Sequence, residues 1–331
     1  MNKHVQFLRE SYPPAPEWGV DDIPDLTGRV MAITGANTGA SNASSPSSRI
    51  DLFPAQALLQ HNATVYMFCR SETRAKAAIA DLKEQTAKEA RFVQCDLSDL
   101  PSVKRCAEEF LSKESQLHVL FNNGGVMLNP VEQLTAQGYD MQFGTNVLAH
   151  FYLSTLLLPV MQATAQTTGV ASRIVVTSSL MHWYANTINY DLLREPDPER
   201  TPAGKQRKCA GSNYLYSQSK LGNVLYAKEL ARRFGDKGIV CISLHPGQIK
   251  TELMRELGPR VEKVRGWLMP VHGADMGALT QLRAGTDPEA AGWNGKYMTC
   301  WARLYANNPA ADDEAEARKL WEWMGEQVKG I

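Results

Sequence analysis

The 331-residue chain has no C-x-x-C pair: its six cysteines, at 69, 95, 106, 209, 241 and 300, stand singly. That scatter argues against a zinc cluster and a disulfide-stapled scaffold, and it suits a reducing compartment. Net charge is also lacking, since 35 Lys plus Arg balance 35 Asp plus Glu. No field of one sign therefore gathers nucleic acid or an anionic membrane. Long apolar runs are missing too. MNKHVQFLRESYPPAPEWG, at the N-terminus, carries Lys3, Arg9 and Glu10 and no signal-peptide core; FYLSTLLLPVM, at 151–161, is too short to span a bilayer and reads as a buried helix. The sequons at Asn42 and Asn62 then read as chance matches. The expectation is a cytoplasmic protein with a small-molecule partner, no nucleic acid, no metal and no transmembrane segment.

What is present is a repeated pattern of strand-length apolar runs: RVMAIT (29–34), ATVYMFC (63–69), RFVQC (91–95), HVLFNN (118–123), RIVVTS (173–178), IVCISL (239–244) and GKYMTC (295–300). Near-continuous rather than alternating apolar character fits strands covered on both faces. Helical patterns over 72–88, 99–113, 140–165 and 215–234 lie between them. Strand and helix in alternation predict an α/β fold, a doubly wound parallel sheet of Rossmann type, with ligands beyond the carboxyl ends of the strands. No strong linker divides the chain, so residues 27–331 are expected to form one domain after an N-terminal extension, 1–26. The polar stretch EPDPERTPAGKQRK at 195–208 reads as a surface excursion.

Chemistry gathers at the strand ends. YSQSK, 216–220, sets Tyr216 and Lys220 four residues apart on one helix face. A neighbouring cation lowers a phenol pKa by about 1 to 3 units, which makes Tyr216 a usable proton donor or acceptor. Ser179 follows the fifth apolar run and is placed to hydrogen-bond a reacting oxygen. Asn146, in GTNVLAHF, is expected inside a buried helix, with a water or backbone bridge toward Lys220 satisfying its amide. Taken singly, each has an ordinary packing or turn explanation; together, in this order, they point to one catalytic crevice.

With TGANTG (34–39), CDL (95–97), NNGG (122–125) and HPGQIKT (245–251), the set resembles the classical short-chain dehydrogenase/reductase (SDR) family. SKLGNVLYAKELARRF and SSLMH followed by INYDLL are similar to its retinol dehydrogenase-like branch. The resemblance implies that Tyr216 transfers the proton, Lys220 lowers its pKa and holds the nicotinamide ribose, Ser179 positions the reacting oxygen, and Asn146 holds the lysine and a relay water. It also implies that Gly35, Asn37, Gly39, Arg70, Asp96, Asn123, Lys220, Pro246, Gly247, Ile249 and Thr251 line the cofactor. A monomer or homodimer acting on a lipophilic alcohol or carbonyl (retinoid-, steroid- or terpenoid-like, as in secondary metabolism) is the matching expectation. A small C-terminal region containing Met254, Leu257, Trp267 and Leu268 would shape its pocket.

Two further absences refine this. No acid follows the second strand: the run ends in Cys69, Arg70 and Ser71. An acid there would bind the ribose 2'-hydroxyl of NAD, whereas Arg70, helped by Ser71 and Arg74, suits the 2'-phosphate of NADP(H). The bland alternative leaves Arg70 a solvated helix-start residue. Asp96 would face the adenine, although capping the next helix with Ser98 accounts for the same stretch. The third glycine of the phosphate-binding turn is missing as well, because Ala40 and Ser41 occupy the equivalent positions. Val30 to Cys69 spans 40 residues, against roughly 30 for an ordinary βαβ unit. Residues 40–56 are therefore anomalous, being either intervening sequence translated as a gene-model artefact or a genuine insertion that weakens cofactor binding. Ser48 and Asp51 could cap a helix near Arg49, but that would put Pro54 in its interior; a two-turn helix starting at Pro54 avoids the clash. The competing class is a pseudoenzyme or binding protein with an impaired cofactor loop.

Overall fold

All seven apolar runs form strands: β1 Val30–Thr34, β2 Thr64–Cys69, β3 Arg91–Gln94, β4 Val119–Asn122, β5 Ser172–Thr177, β6 Ile239–Leu244 and β7 Tyr297–Thr299. An eighth, β8 Arg303–Tyr305, pairs antiparallel to β7 at the sheet edge. The computed structural model describes residues 3–36, 52–194, 202–249 and 272–331. Asn37, Gly39, Thr251, the proposed Ser48–Asp51 cap, residues 40–51 and the pocket candidates Met254, Leu257, Trp267 and Leu268 lie outside the described residues.

The strand order is β3-β2-β1-β4-β5-β6-β7-β8, parallel up to β7. Order reverses between β1 and β4, which opens a crevice at their carboxyl ends. Side-chain alternation along β1 shows why the runs are continuously apolar. Val30 and Ala32 belong to the core on one face of the sheet, Met31 and Ile33 to the core on the other. The described helices are α1 Lys3–Ser11, α2 Phe53–Gln60, α3 Glu72–Thr86, α4 Leu100–Lys113, α5 Met141–Thr168, α6 Pro202–Phe234, which is broken by a non-helical Gly211, α7 Ala274–Thr286 and α8 Glu314–Gln327. Helices α4, α5, α6 and α8 cover the first face through Phe110, Leu153, Leu225 and Leu320; α2, α3 and α7 cover the second through Leu58, Ala78 and Leu282. The result is one domain of the expected doubly wound class.

Helix α5 is long and apolar enough to cross a bilayer, but 67% of its most apolar window is buried inside the protein, as in a core helix. Asp140 caps it by accepting from Phe143 N at 2.8 Å. Helix α2 is eight residues long with Pro54 in its first turn, as the proline demands.

Two expectations change. Within the supposed surface excursion, residues 202–208 are helical, and Arg207 is fully buried. Its guanidinium pairs with Asp140 at 3.1 Å and donates to the carbonyls of Leu192 and Val131, each at 2.6 Å. Charged composition suggested solvent, but a guanidinium whose two terminal nitrogens are bonded can stay inside, here with its Nε left without a partner. Nor is the N-terminal extension an appendage: Trp18, Ile23 and Leu26 join the second core, and α1 is docked.

Candidate active site

Helix α6 is stitched to the end of β5 by three bonds. Lys220 Nζ and Asn223 Nδ2 both donate to the Thr177 carbonyl at 3.0 Å, and Ser178 Oγ donates to the Lys220 carbonyl at 2.7 Å. This fixes Lys220 against the end of β5, with Ser179 the second residue past the strand. The Lys220 ammonium lies 5.6 Å from the centre of the Tyr216 ring, and both side chains are buried. Ser179 opens a 3-10 turn, Leu180–Tyr184, its Oγ accepting from Met181 N at 3.2 Å. Burial alone pulls Lys220 down to about 7, because no carboxylate offsets the desolvation of the ammonium. A phenolate forming on Tyr216 would favour the charged lysine, so the two groups share one proton economy.

Asn146 occupies a π turn, Gly144–Leu148, inside α5. Its amide nitrogen donates to Val126 O at 3.0 Å and Ser219 Oγ at 3.1 Å, and its amide oxygen accepts from Val126 N at 2.9 Å. Direct bonds to Val126 and Ser219 thus partner both polar atoms of the amide. Only Gly125 separates the asparagine from the lysine: a Cβ there would stand 2.9 Å from Asn146 Oδ1 and 3.9 Å from Lys220 Nζ.

On the cofactor side, β1 and β4 end against each other. Gly35 has φ +74°, and a Cβ on it would lie 2.6 Å from Gly124 Cα. Thr34 Oγ1 accepts from the amides of Asn123 and Gly124 at 3.0 and 2.9 Å, and Asn123 Nδ2 donates to Thr34 O at 3.3 Å. Such bare backbone at the switch point suits close approach by a dinucleotide. Arg70 is exposed directly after β2, where Ser71 caps α3 by accepting from Arg74 N at 3.4 Å. Asp96 does not help cap α4 through Ser98. Its carboxylate instead accepts from Ser98 N and Oγ at 2.9 and 2.7 Å in a tight turn, while Leu100 N donates to Gln137 Oε1 at 3.0 Å. Past β6, Pro246 leads into Gly247 (φ +95°), where a Cβ would collide with the Trp301 ring at 2.6 Å, and Ile249 pairs with His272.

Two histidines in the site's framework carried no expectation. His150 donates through Nδ1 to Asn146 O at 3.0 Å and meets Thr34 Oγ1 with Nε2 at 2.9 Å, joining the π turn to the end of β1. His182 contacts Ser179 O through Nδ1 at 2.7 Å and accepts from Asn308 N through Nε2 at 3.0 Å. Burial holds both down to about 4, so both are neutral. The spacing of His150 four residues after Asn146 was the available signal.

The family model of the short chain dehydrogenases matches residues 29–190. A short-chain dehydrogenase/reductase of Armillaria gallica is 49% identical over 330 residues, 99% of both chains. Human retinol dehydrogenase 12 is 32% identical over 297 residues, 89% of this chain and 85% of that protein. The crystal structure of an uncharacterised protein from Mycobacterium paratuberculosis superposes with a TM-score of 0.69 at 28% identity, covering 94% of this chain and 97% of the other. The chain belongs to the short-chain dehydrogenase/reductase family of oxidoreductases, with a retinol dehydrogenase-like relationship. Enzymes of this family use a nicotinamide dinucleotide, NAD or NADP.

Proposed function

We propose that the protein is an NADP(H)-dependent oxidoreductase interconverting a lipophilic alcohol and its carbonyl, with Tyr216 as proton donor and acceptor. The observation that carries this reading is the shared Thr177 carbonyl, which anchors Lys220 and Asn223 at the end of β5, with the Lys220 ammonium 5.6 Å from the centre of the Tyr216 ring. In this reading Ser179 holds the reacting oxygen, Lys220 tunes the phenol and reaches the ribose, and Asn146 fixes the Gly125–Val126 backbone against the lysine. Gly35, Asn123, Asp96, Pro246, Gly247 and Ile249 would line the dinucleotide, with Asn37, Gly39 and Thr251 assigned by motif alone. Arg70 would meet the 2'-phosphate. The bound nicotinamide supplies or accepts the hydride; placement and the proton come from the protein.

Tyr216→Phe is expected to leave NADP(H) affinity nearly intact and to cut turnover by about a hundred- to ten-thousand-fold, the usual worth of general acid-base catalysis. Lys220→Ala should lower both. Nucleotide fluorescence titration and steady-state rates check this, and near-normal turnover in Tyr216→Phe refutes the assignment. Ser41, standing where a phosphate-binding turn has glycine, favours the second reading, a binding protein with an impaired loop. The same titration of the parent chain separates the two.

A further inference from the structure

Helix α1 lies outside residues 29–190, the part of the chain that the family match covers. Even so, its Glu10 carboxylate is buried and accepts four hydrogen bonds. Oε1 takes Gln6 Nε2 at 2.9 Å and the Trp183 indole at 3.1 Å; Oε2 takes Thr299 Oγ1 at 2.9 Å and the Tyr297 hydroxyl at 3.3 Å. The Glu10 carbonyl accepts from Cys300 Sγ at 3.2 Å. The next residue, Ser11, accepts from Gln248 Nε2 at 2.9 Å. Trp183 sits in the turn that Ser179 opens, and Gln248 sits between Gly247 and Ile249. Two consecutive residues of α1 thus hold the loops after the neighbouring strands β5 and β6.

Ordinary packing does not account for this docking. Val5, Leu8 and Tyr12 of the α1 segment are 43%, 56% and 55% exposed, while Gln6, Glu10 and Ser11 are buried. A helix recruited for apolar area would turn the other face inward. Burying a carboxylate is costly unless it is fully partnered, so what the contact provides is a defined geometry more than stability. We infer that α1 is an integral part of the active site, with Glu10 and Ser11 acting as positioning residues: Glu10 sets the Ser179–Tyr184 turn through Trp183, and Ser11 sets the Pro246–Ile249 loop through Gln248. The catalytic side of this inference rests on the oxidoreductase reading above; the structural side does not. Its chemistry requires acceptors, not charge. An amide at position 10 can keep its oxygen toward the Gln6 and Trp183 N–H groups and turn its NH2 toward the Thr299 and Tyr297 hydroxyls, which can accept instead of donate.

Hydrogen exchange read by mass spectrometry on the cofactor-free full chain tests the clasp. Trp183→Phe is expected to raise exchange in 180–184 alone, Ser11→Ala in 246–249 alone, and Glu10→Ala in the first of these, while Glu10→Gln keeps most of the protection. In turnover, Trp183→Phe should lower kcat by about tenfold or less, the worth of one hydrogen bond, with cofactor KM unchanged. Ser11→Ala should raise cofactor KM by a similar factor. Unchanged exchange in both loops, or an even loss across the sheet, overturns the inference. Should Glu10→Ala fail to fold, Trp183→Phe and Ser11→Ala still decide it. A parent chain that binds no NADP(H) sinks the functional reading, while the exchange pattern still judges the clasp.

Discussion

Thr177 gives one carbonyl oxygen to two side chains, Lys220 and Asn223, and so ties α6 to the end of β5. Tyr216 and Lys220 were legible in the sequence because four residues make one helical turn. The partners of Asn146 were not, because Val126 lies 20 positions away across a loop and only the folded sheet brings it near. In the proposed reading, Arg70 is the residue on which cofactor choice turns. It is exposed after β2, with no acid in its place to accept the ribose hydroxyl. Arg70→Asp substitutes repulsion for phosphate attraction and adds that acceptor, so the ratio of kcat/KM for NADP(H) over NAD(H) should fall, approaching or passing unity. An unchanged ratio returns Arg70 to solvent duty.

At the scale of elements, strands were the most legible because covering both faces leaves an unbroken apolar signature. Helix α1 was hidden for the opposite reason: Val5 and Leu8 face water, while Gln6, Glu10 and Ser11, which are polar, are buried. At the end of the stretch 40–56, Leu52 and Ala55 are buried and Phe53 begins α2, so a replacement is best limited to 40–51. The chain as written is expected to bind NADP(H) weakly and turn over slowly, and replacing 40–51 by a short Ile-Gly-Lys-type helix start should restore both, because backbone amides then meet the pyrophosphate at a helix N-terminus. Fluorescence titration of the two chains side by side is the check, and tight binding by the unaltered chain defeats the claim. Tryptic peptides VMAITGANTGASNASSPSSR and IDLFPAQALLQHNATVYMFCR in the native protein would show that the insertion is genuine.

Among the described residues, burial holds four histidines far below their ordinary value: His118, His150 and His182 at about 4, and His245 at about 3. An unfolded chain takes up protons on these rings near pH 6.5, and the folded chain only near 4. Between those limits the unfolded state binds more protons, so the histidines subtract stability as pH falls. Glu10 and Asp140, both raised by burial, work in the opposite sense. The urea midpoint is expected to fall from pH 6.5 to 4, and His118→Asn should flatten that fall. An asparagine oxygen can still accept from Val30 N, which His118 Nδ1 now does at 3.0 Å. An equally steep profile in the variant would remove His118 from the account. The clasp at Glu10 also has a consequence for biosynthesis. Glu10 and Thr299 are 289 residues apart, so at ordinary translation speeds the carboxylate leaves the ribosome about 15 to 60 s before its partner exists. A nine-residue helix is too short to persist alone in water. The first helix to be made is therefore among the last to be ordered, and a nascent chain interrupted before β7 carries Glu10 and both loops without Tyr297, Thr299 and Cys300, which hold α1 in place.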